Sequence, residues 1–177
     1  MNTFDLQMHS TASDGEFAPA ELVKKAKDRG LNIVALTDHD TVSGIEEAKI
    51  AAVELGIEVI PGIEFSANHG ELGLHILGYG IDIKNSALLA ASEKMRLSRI
   101  ERAKEMVKRL AAQGFKISYE NVATRARGGM VMRPHIAFEI LENPENEGIL
   151  GGLHTKGDFI KNFLVSGKPA YVESRDL

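Results

Sequence analysis

Ile33-Val34-Ala35-Leu36-Thr37-Asp38-His39-Asp40 is the stretch that decides the fold. Its four apolar residues read as a short buried strand, and a capped helical pattern follows. The run therefore sets two carboxylates and an imidazole at the carboxyl end of a strand. Open α/β sheets and α/β barrels build their sites along that edge, so the position is a functional signal before any residue chemistry is weighed.

Outward from this run, strand and helix signals alternate. Pro19 suits the first turn of a helix carrying Leu22, Val23 and Ala26, and Gly30 suits its end. The strand Asn32–Leu36 follows, and Thr41 or Ser43 is placed to cap a helix in which Ile45, Ala48, Ala52 and Leu55 recur at helical spacing. Gly56 offers a left-handed stop. These are consecutive βαβ units, which pair in parallel with right-handed crossovers and bring successive strand ends to one rim.

Three other segments place chemistry at the same rim. Phe4-Asp5-Leu6 runs through Gln7-Met8-His9 to Ser13-Asp14-Gly15, and Ile57-Glu58-Val59-Ile60 leads through Pro61-Gly62 to Glu64. Leu72 to Leu77 carries His75 inside an apolar strand pattern, after a turn at Asn68-His69-Gly70-Glu71 whose His69 is expected at an exposed tip. His9, Asp14, His39, Glu64 and His75 are thus expected to converge. Imidazole and carboxylate are the usual protein ligands of first-row divalent metals, and a carboxylate can bridge two ions in a hydrolytic site. A single strand histidine is more often a hydrogen-bonded core residue, but five such groups at successive strand ends favour a site of two or three metals.

The chain has 177 residues, a net charge of -4 and no cysteine. That length suits one globular unit with a sizeable core. The absence of cysteine excludes disulfides, thiolate ligands and a cysteine nucleophile. The charge argues against broad binding to long nucleic acid, which needs clustered Lys and Arg, and fits a mononucleotide or short oligonucleotide held through metals. Neither a signal segment nor an apolar stretch near the roughly 20 residues of a membrane span is evident, so a cytoplasmic protein without membrane contact is expected.

After Tyr79-Gly80 the pattern becomes a long helix from about Ser86 to Gln113, with Ile100, Ala103, Val107 and Leu110 on one face and Gly114 as its stop. Glu105 with Lys108 and Arg109 reads as a solvated face. Beyond a break at Gly128-Gly129, Pro134 in Met132-Arg133-Pro134-His135 suits a first helical turn. An Arg and a His beside such a terminus are equally an anion site or a plain exposed helix start. Asn143 to Gly157 reads as a mobile connection with an isolated His154, followed by a short helix near Asp158–Val165 and a turn into an extended segment at Gly167–Val172.

Asp5-Leu6-Gln7-Met8-His9-Ser10, Ser13-Asp14-Gly15, Leu36-Thr37-Asp38-His39-Asp40-Thr41 and Gly62-Ile63-Glu64 together resemble the polymerase and histidinol phosphatase (PHP) superfamily. The resemblance is strongest to its small stand-alone phosphoesterases acting on nucleotides or short oligonucleotides. It implies an α/β fold, a distorted seven-stranded β/α barrel with a helical insertion, here in part. It also implies two or three divalent ions, manganese first and iron or zinc next, and phosphate-ester hydrolysis by metal-activated water. The metal ligands carried over are His9, Asp14, His39, Glu64 and His75, with Glu64 bridging and Glu64 and His39 catalytic. Asp38 and Asp40 become groups that orient ligating imidazoles. Arg133 and His135 become substrate-phosphate contacts in a helical cap, with Arg125 and Arg127 as rim contacts. The parts expected are a barrel portion at 1–82, a helical insertion at 83–166 and the start of a return to the barrel at 167–177.

Two departures accompany the resemblance. Gln7-Met8-His9 stands where the family has His-x-His, and the later His-Pro and Ser-Asp-x-His-like motifs do not occur in this chain. These favour, as the alternative reading, a weak or inactive metal-binding or interaction module. An open barrel edge further leads to an expectation of self-association.

Overall fold

The computed structural model describes residues 3–69 and 72–173. The chain forms two compact units that divide between residues 96 and 97. The first contains β1 (Phe4–Met8), α1 (Pro19–Asp28), β2 (Ile33–Leu36), α2 (Ile45–Leu55), β3 (Glu58–His69) and β4 (Leu72–Tyr79). The strands lie in the order β1-β2-β3-β4. The first three are parallel, as the βαβ reading requires, and β4 runs antiparallel to β3 from Gly62↔Tyr79 to His69↔Leu72.

Helix ends follow the local signals in part. Pro19 opens α1, and Gly56, with φ of 61°, ends α2 by donating its N–H to Ala52 O. The start of α2 differs from expectation: Gly44 is its N-cap and no side chain caps it. The Thr41 hydroxyl accepts from Ser43 N at 3.2 Å instead, forming a local turn that competes with capping. The core joins Val23 and Ala26 of α1 and Ile45, Ala48 and Ala52 of α2 to Val34, Leu36 and Ile63 of the sheet. Each large aliphatic side chain buried there contributes about 1.5–3 kcal/mol of transfer free energy.

The sheet is curled. In a flat sheet β1 and β4 would stand three spacings of about 4.8 Å apart. Instead the Tyr79 hydroxyl on β4 donates to the Leu6 carbonyl on β1 at 2.9 Å, so the strands wrap into half a barrel.

The helix α3 (Ser86–Ala112) begins in the first unit and ends in the second. The second unit then adds α4 (Tyr119–Arg125), α5 (Arg133–Glu142), a 3-10 turn at Pro144–Ile149 and α6 (Lys156–Phe163). Its core is Met106, Leu110, Phe115, Val122, Ile136, Ile140, Phe159 and Leu164. Phe115 packs edge-on against Phe159 and Phe163, at centroid distances of 5.5 and 5.2 Å, in the geometry aromatic quadrupoles favour.

One sequence expectation fails here. The segment Asn143 to Gly157 is not a loose connection, because Asn146 is fully buried. Its Oδ1 accepts from Lys116 N at 2.6 Å, and its Nδ2 donates to Lys116 O and Ile140 O, both at 3.1 Å. Asn and Gly composition signals a turn but does not say whether the amide is in water or sealing the end of a core. Residues 171–173 form no strand, while Ala170 before them is buried. Gly70 and Glu71 of the expected turn lie outside the described residues; His69 beside them is exposed. Among the described residues, no helix is long and apolar enough to cross a membrane.

Candidate metal centre

Three imidazoles meet around one carboxylate in the first unit. His9 follows β1, His39 lies in the loop after β2, Glu64 is within β3 and His75 within β4. The backbone sets this up, because β3 continues past its pairing with β2 and is gripped by the loop that carries His39. Asp40 N donates to Glu64 O at 3.0 Å, and Glu64 N donates to Asp38 O at 3.2 Å. His39 and Glu64 are thereby paired as a parallel bridge.

The flanking aspartates hold this loop in place. The Asp38 carboxylate, 2% exposed, accepts from Ser10 N at 2.7 Å, Ser10 Oγ at 2.7 Å and Ser13 Oγ at 2.6 Å. It thus ties the loop bearing His9 and Asp14 to the loop bearing His39. Asp40 is fully buried at φ of 56°, a left-handed conformation costing a non-glycine residue roughly 1–2 kcal/mol. Its carboxylate accepts from Ser66 N at 2.8 Å and Ser66 Oγ at 3.0 Å, which offsets that cost. Asp38 and Asp40 thus hold loops and strands in place. Gly15 completes the first loop: a Cβ there would sit 2.1 Å from His9 O, so only glycine permits the close return.

Around Glu64, His9 Nε2 lies 3.1 Å from Oε2 and His39 Nδ1 lies 3.8 Å from Oε1. His75 Nδ1 hydrogen-bonds Oε1, and Gln7 Nε2 donates to Oε2 at 3.0 Å. The rings of His9 and His39 are 4.5 Å apart, and those of His39 and His75 are 4.9 Å apart. One donor atom from each of His9, His39 and Glu64 falls within 4.8 Å of the others. His75 is the open side of the group, with its side chain 55% exposed. Asp14 joins through His9, its Oδ1 lying 3.4 Å from His9 Nδ1 in a contact too poorly aligned for a good hydrogen bond.

The electrostatics follow from this packing. The Asp14 carboxylate raises the His9 imidazole above its usual value, against the opposing effect of burial. Burial dominates at His39 and lowers it, which keeps the ring neutral and its lone pair available. Burial pushes the Glu64 carboxyl up, but the Gln7 amide and the surrounding imidazoles more than reverse this, and it lies below the usual range.

The residues fit a divalent ion. His39 Nδ1 is buried without a hydrogen-bond partner, an unusual state for a ring nitrogen inside a protein. Three imidazoles crowd one ionised carboxylate, and a cation among them would satisfy the unpaired nitrogens and the negative charge together. Arg133 and His135 belong to the second unit and have partners there. Arg133 Nη1 points to Leu164 O at 3.5 Å, and His135 Nδ1 accepts from Met132 N at 3.0 Å at the start of α5. Arg125 is not a free rim cation: it pairs with the buried Glu139 and, at 2.7 Å, with Glu142. The functional groups the sequence reading missed are Ser10, Ser13 and Ser66, whose hydroxyls carry no signal of their own until a carboxylate is folded against them.

Comparisons with known proteins show what the chain is similar to. A 5'-3' exoribonuclease of Haemophilus influenzae is 38% identical over 171 residues, 97% of this chain and 60% of that protein. A 3',5'-nucleoside bisphosphate phosphatase of Chromobacterium violaceum is 34% identical over 97% of this chain and 58% of that protein. A solved structure of an amidohydrolase from Chromobacterium violaceum, with bound sulfate and no metal, superposes with a TM-score of 0.88 at 32% identity, covering 98% of this chain and 59% of that one. The chain thus spans less than two thirds of the length of these relatives. The PHP domain family matches residues 5–167, and with three imidazoles gathered on the β3 glutamate, this chain belongs to that family.

Proposed function

We propose that the chain carries the metal-binding half-barrel of a phosphoesterase that hydrolyses phosphate esters of nucleotides or short oligonucleotides, with manganese as the working ion. The observation that carries this reading is the gathering of His9, His39 and His75 on the buried Glu64, with a His39 nitrogen left unpaired. His9, His39 and Glu64 would hold the ion, and His75 would join through Glu64 Oε1. A divalent cation bound there supplies charge neutralisation for a phosphoryl group and acidifies a bound water.

The protein's own part is positioning. Asp38 and Asp40 lock the loops that present His9 and His39, and the buried Glu64 is held ionised. Half-exposed His75 leaves one side of the cluster open to a substrate. The two named relatives act on nucleotide or RNA phosphates by their descriptions, which supports a nucleotide substrate class here.

The test is manganese-dependent phosphate release from nucleoside monophosphates, 3',5'-bisphosphates and short oligonucleotides, set against the Glu64→Ala variant. Release that is lost in the variant supports the proposal. Folded protein that binds manganese but releases no more phosphate than the variant overturns it and leaves a metal-binding module.

A further inference from the structure

Among the described side chains that reach the Glu64 carboxylate, three are imidazoles with a ring nitrogen to offer a cation, and Gln7 is an amide with none. It lies on β1 close to His9, and both reach the same atom: Gln7 Nε2 stands 3.0 Å and His9 Nε2 3.1 Å from Glu64 Oε2. An amide nitrogen facing an ionised carboxylate donates hydrogen and cannot ligate a cation. Reversing the amide would bring its carbonyl oxygen against Glu64 Oε2, two partial negative charges at contact distance. The hydrogen bond to the charged oxygen holds the donor orientation, and such bonds are roughly twice as strong as neutral ones.

The other groups around Glu64 are disposed differently. His75 occupies Oε1, and His39 stands 3.8 Å from that same oxygen. Oε2 therefore has one potential ligand beside it, His9, and one pure donor, Gln7. The carboxylate plane is held from both ends, and the β1 side of the cluster presents an N–H where a metal would need an electron pair.

We propose that Gln7 is a positioning residue: it seats Glu64 for metal binding and closes the β1 side of the cluster to a further ion. The inference rests on the reading above that the cluster binds divalent metal, and it adds which residue sets the number of ions held. Gln7 is exposed on its strand, so its replacement leaves the core intact.

The experiment is calorimetric titration with Mn²⁺, paired with elemental analysis of the dialysed protein, on the wild type, Gln7→Leu, Gln7→His and Glu64→Ala. Melting of each metal-free protein serves as the control for folding. Gln7→Leu keeps the bulk and removes the donor: it should bind the same number of ions about 10–100-fold more weakly, the usual cost of losing a group that orients a ligand, with the metal-free protein still melting as a cooperatively folded chain. Gln7→His places a ring nitrogen in the same position and should bind one more ion per chain.

Loss of an ion in Gln7→Leu would show Gln7 to be a ligand and overturn the proposal. Wild-type affinity in Gln7→Leu would overturn the positioning role, and an unchanged ion count in Gln7→His would overturn the closure. Wild type that binds no more Mn²⁺ than Glu64→Ala removes the metal reading itself, a result separate from any difference among the Gln7 variants.

Discussion

Asp38 holds the two metal-bearing loops together, and its removal has a calculable consequence. In Asp38→Ala, three groups lose an acceptor in a site that is 2% exposed: Ser10 N, Ser10 Oγ and Ser13 Oγ, at 2.7, 2.7 and 2.6 Å. Hydrogen bonds to a charged group are worth about 1.5–3 kcal/mol each, and a buried donor left without an acceptor costs about 1–3 kcal/mol. The three share one carboxylate and are not additive. The expected loss is therefore about 3–6 kcal/mol, against a total stability of about 5–15 kcal/mol for an ordinary domain. Asp38→Asn retains one acceptor oxygen, and its amide can donate to a serine hydroxyl, so about 1–2 kcal/mol is expected. Urea unfolding followed by circular dichroism measures the loss. Hydrogen exchange of a peptide covering residues 9–17 locates it, because Ser10, Thr11, Ser13 and Gly15 N–H groups are all bonded in that loop. A loss below about 1 kcal/mol for Asp38→Ala, with exchange in that peptide at wild-type rates, would refute the argument that buried acceptors of this kind set the loop.

Two other outcomes follow from the same reasoning. In the second unit, Asn146→Ala strands Lys116 N and the Ile140 carbonyl, while Lys116 O keeps its bond from Asn143 Nδ2, and should cost about 2–4 kcal/mol in a thermal melt; Asn146→Asp should do no better, since it sets carboxylate oxygen against both carbonyls, and a melt within about 0.5 kcal/mol of wild type for either would sink the assignment. Mn²⁺ affinity should fall as pH drops through the raised pKa of His9, which must release a proton to bind, whereas His39, lowered by burial, is already neutral there. One proton displaced means about a tenfold loss per pH unit, measured by titration between about pH 5.5 and 8; a slope near two protons would show His39 charged as well.

Much of the first unit was legible residue by residue. The apolar run Ile33–Leu36, the proline at the start of α1 and the glycine after α2 are local preferences, and the chain obeys them. His9, His39 and Glu64 were legible as neighbours, since parallel strands deliver successive segments to one rim, whereas His75 reaches them from β4, which runs antiparallel to β3. The capping of α2 was not, because Thr41 had a nearer partner in Ser43.

The polar partnerships were hidden for a different reason. Asp38 meets serines 25 and 28 residues away, Gln7 meets Glu64 across 57 residues and Tyr79 meets Leu6 across 73. Backbone dihedral preference and apolar periodicity act over a few residues, and they are written into any stretch of chain long enough to show them. A hydrogen bond acts over about 3 Å in space, so which carboxylate is a clamp, which amide seals a core and how far a sheet curls follow only once the strands have been brought together.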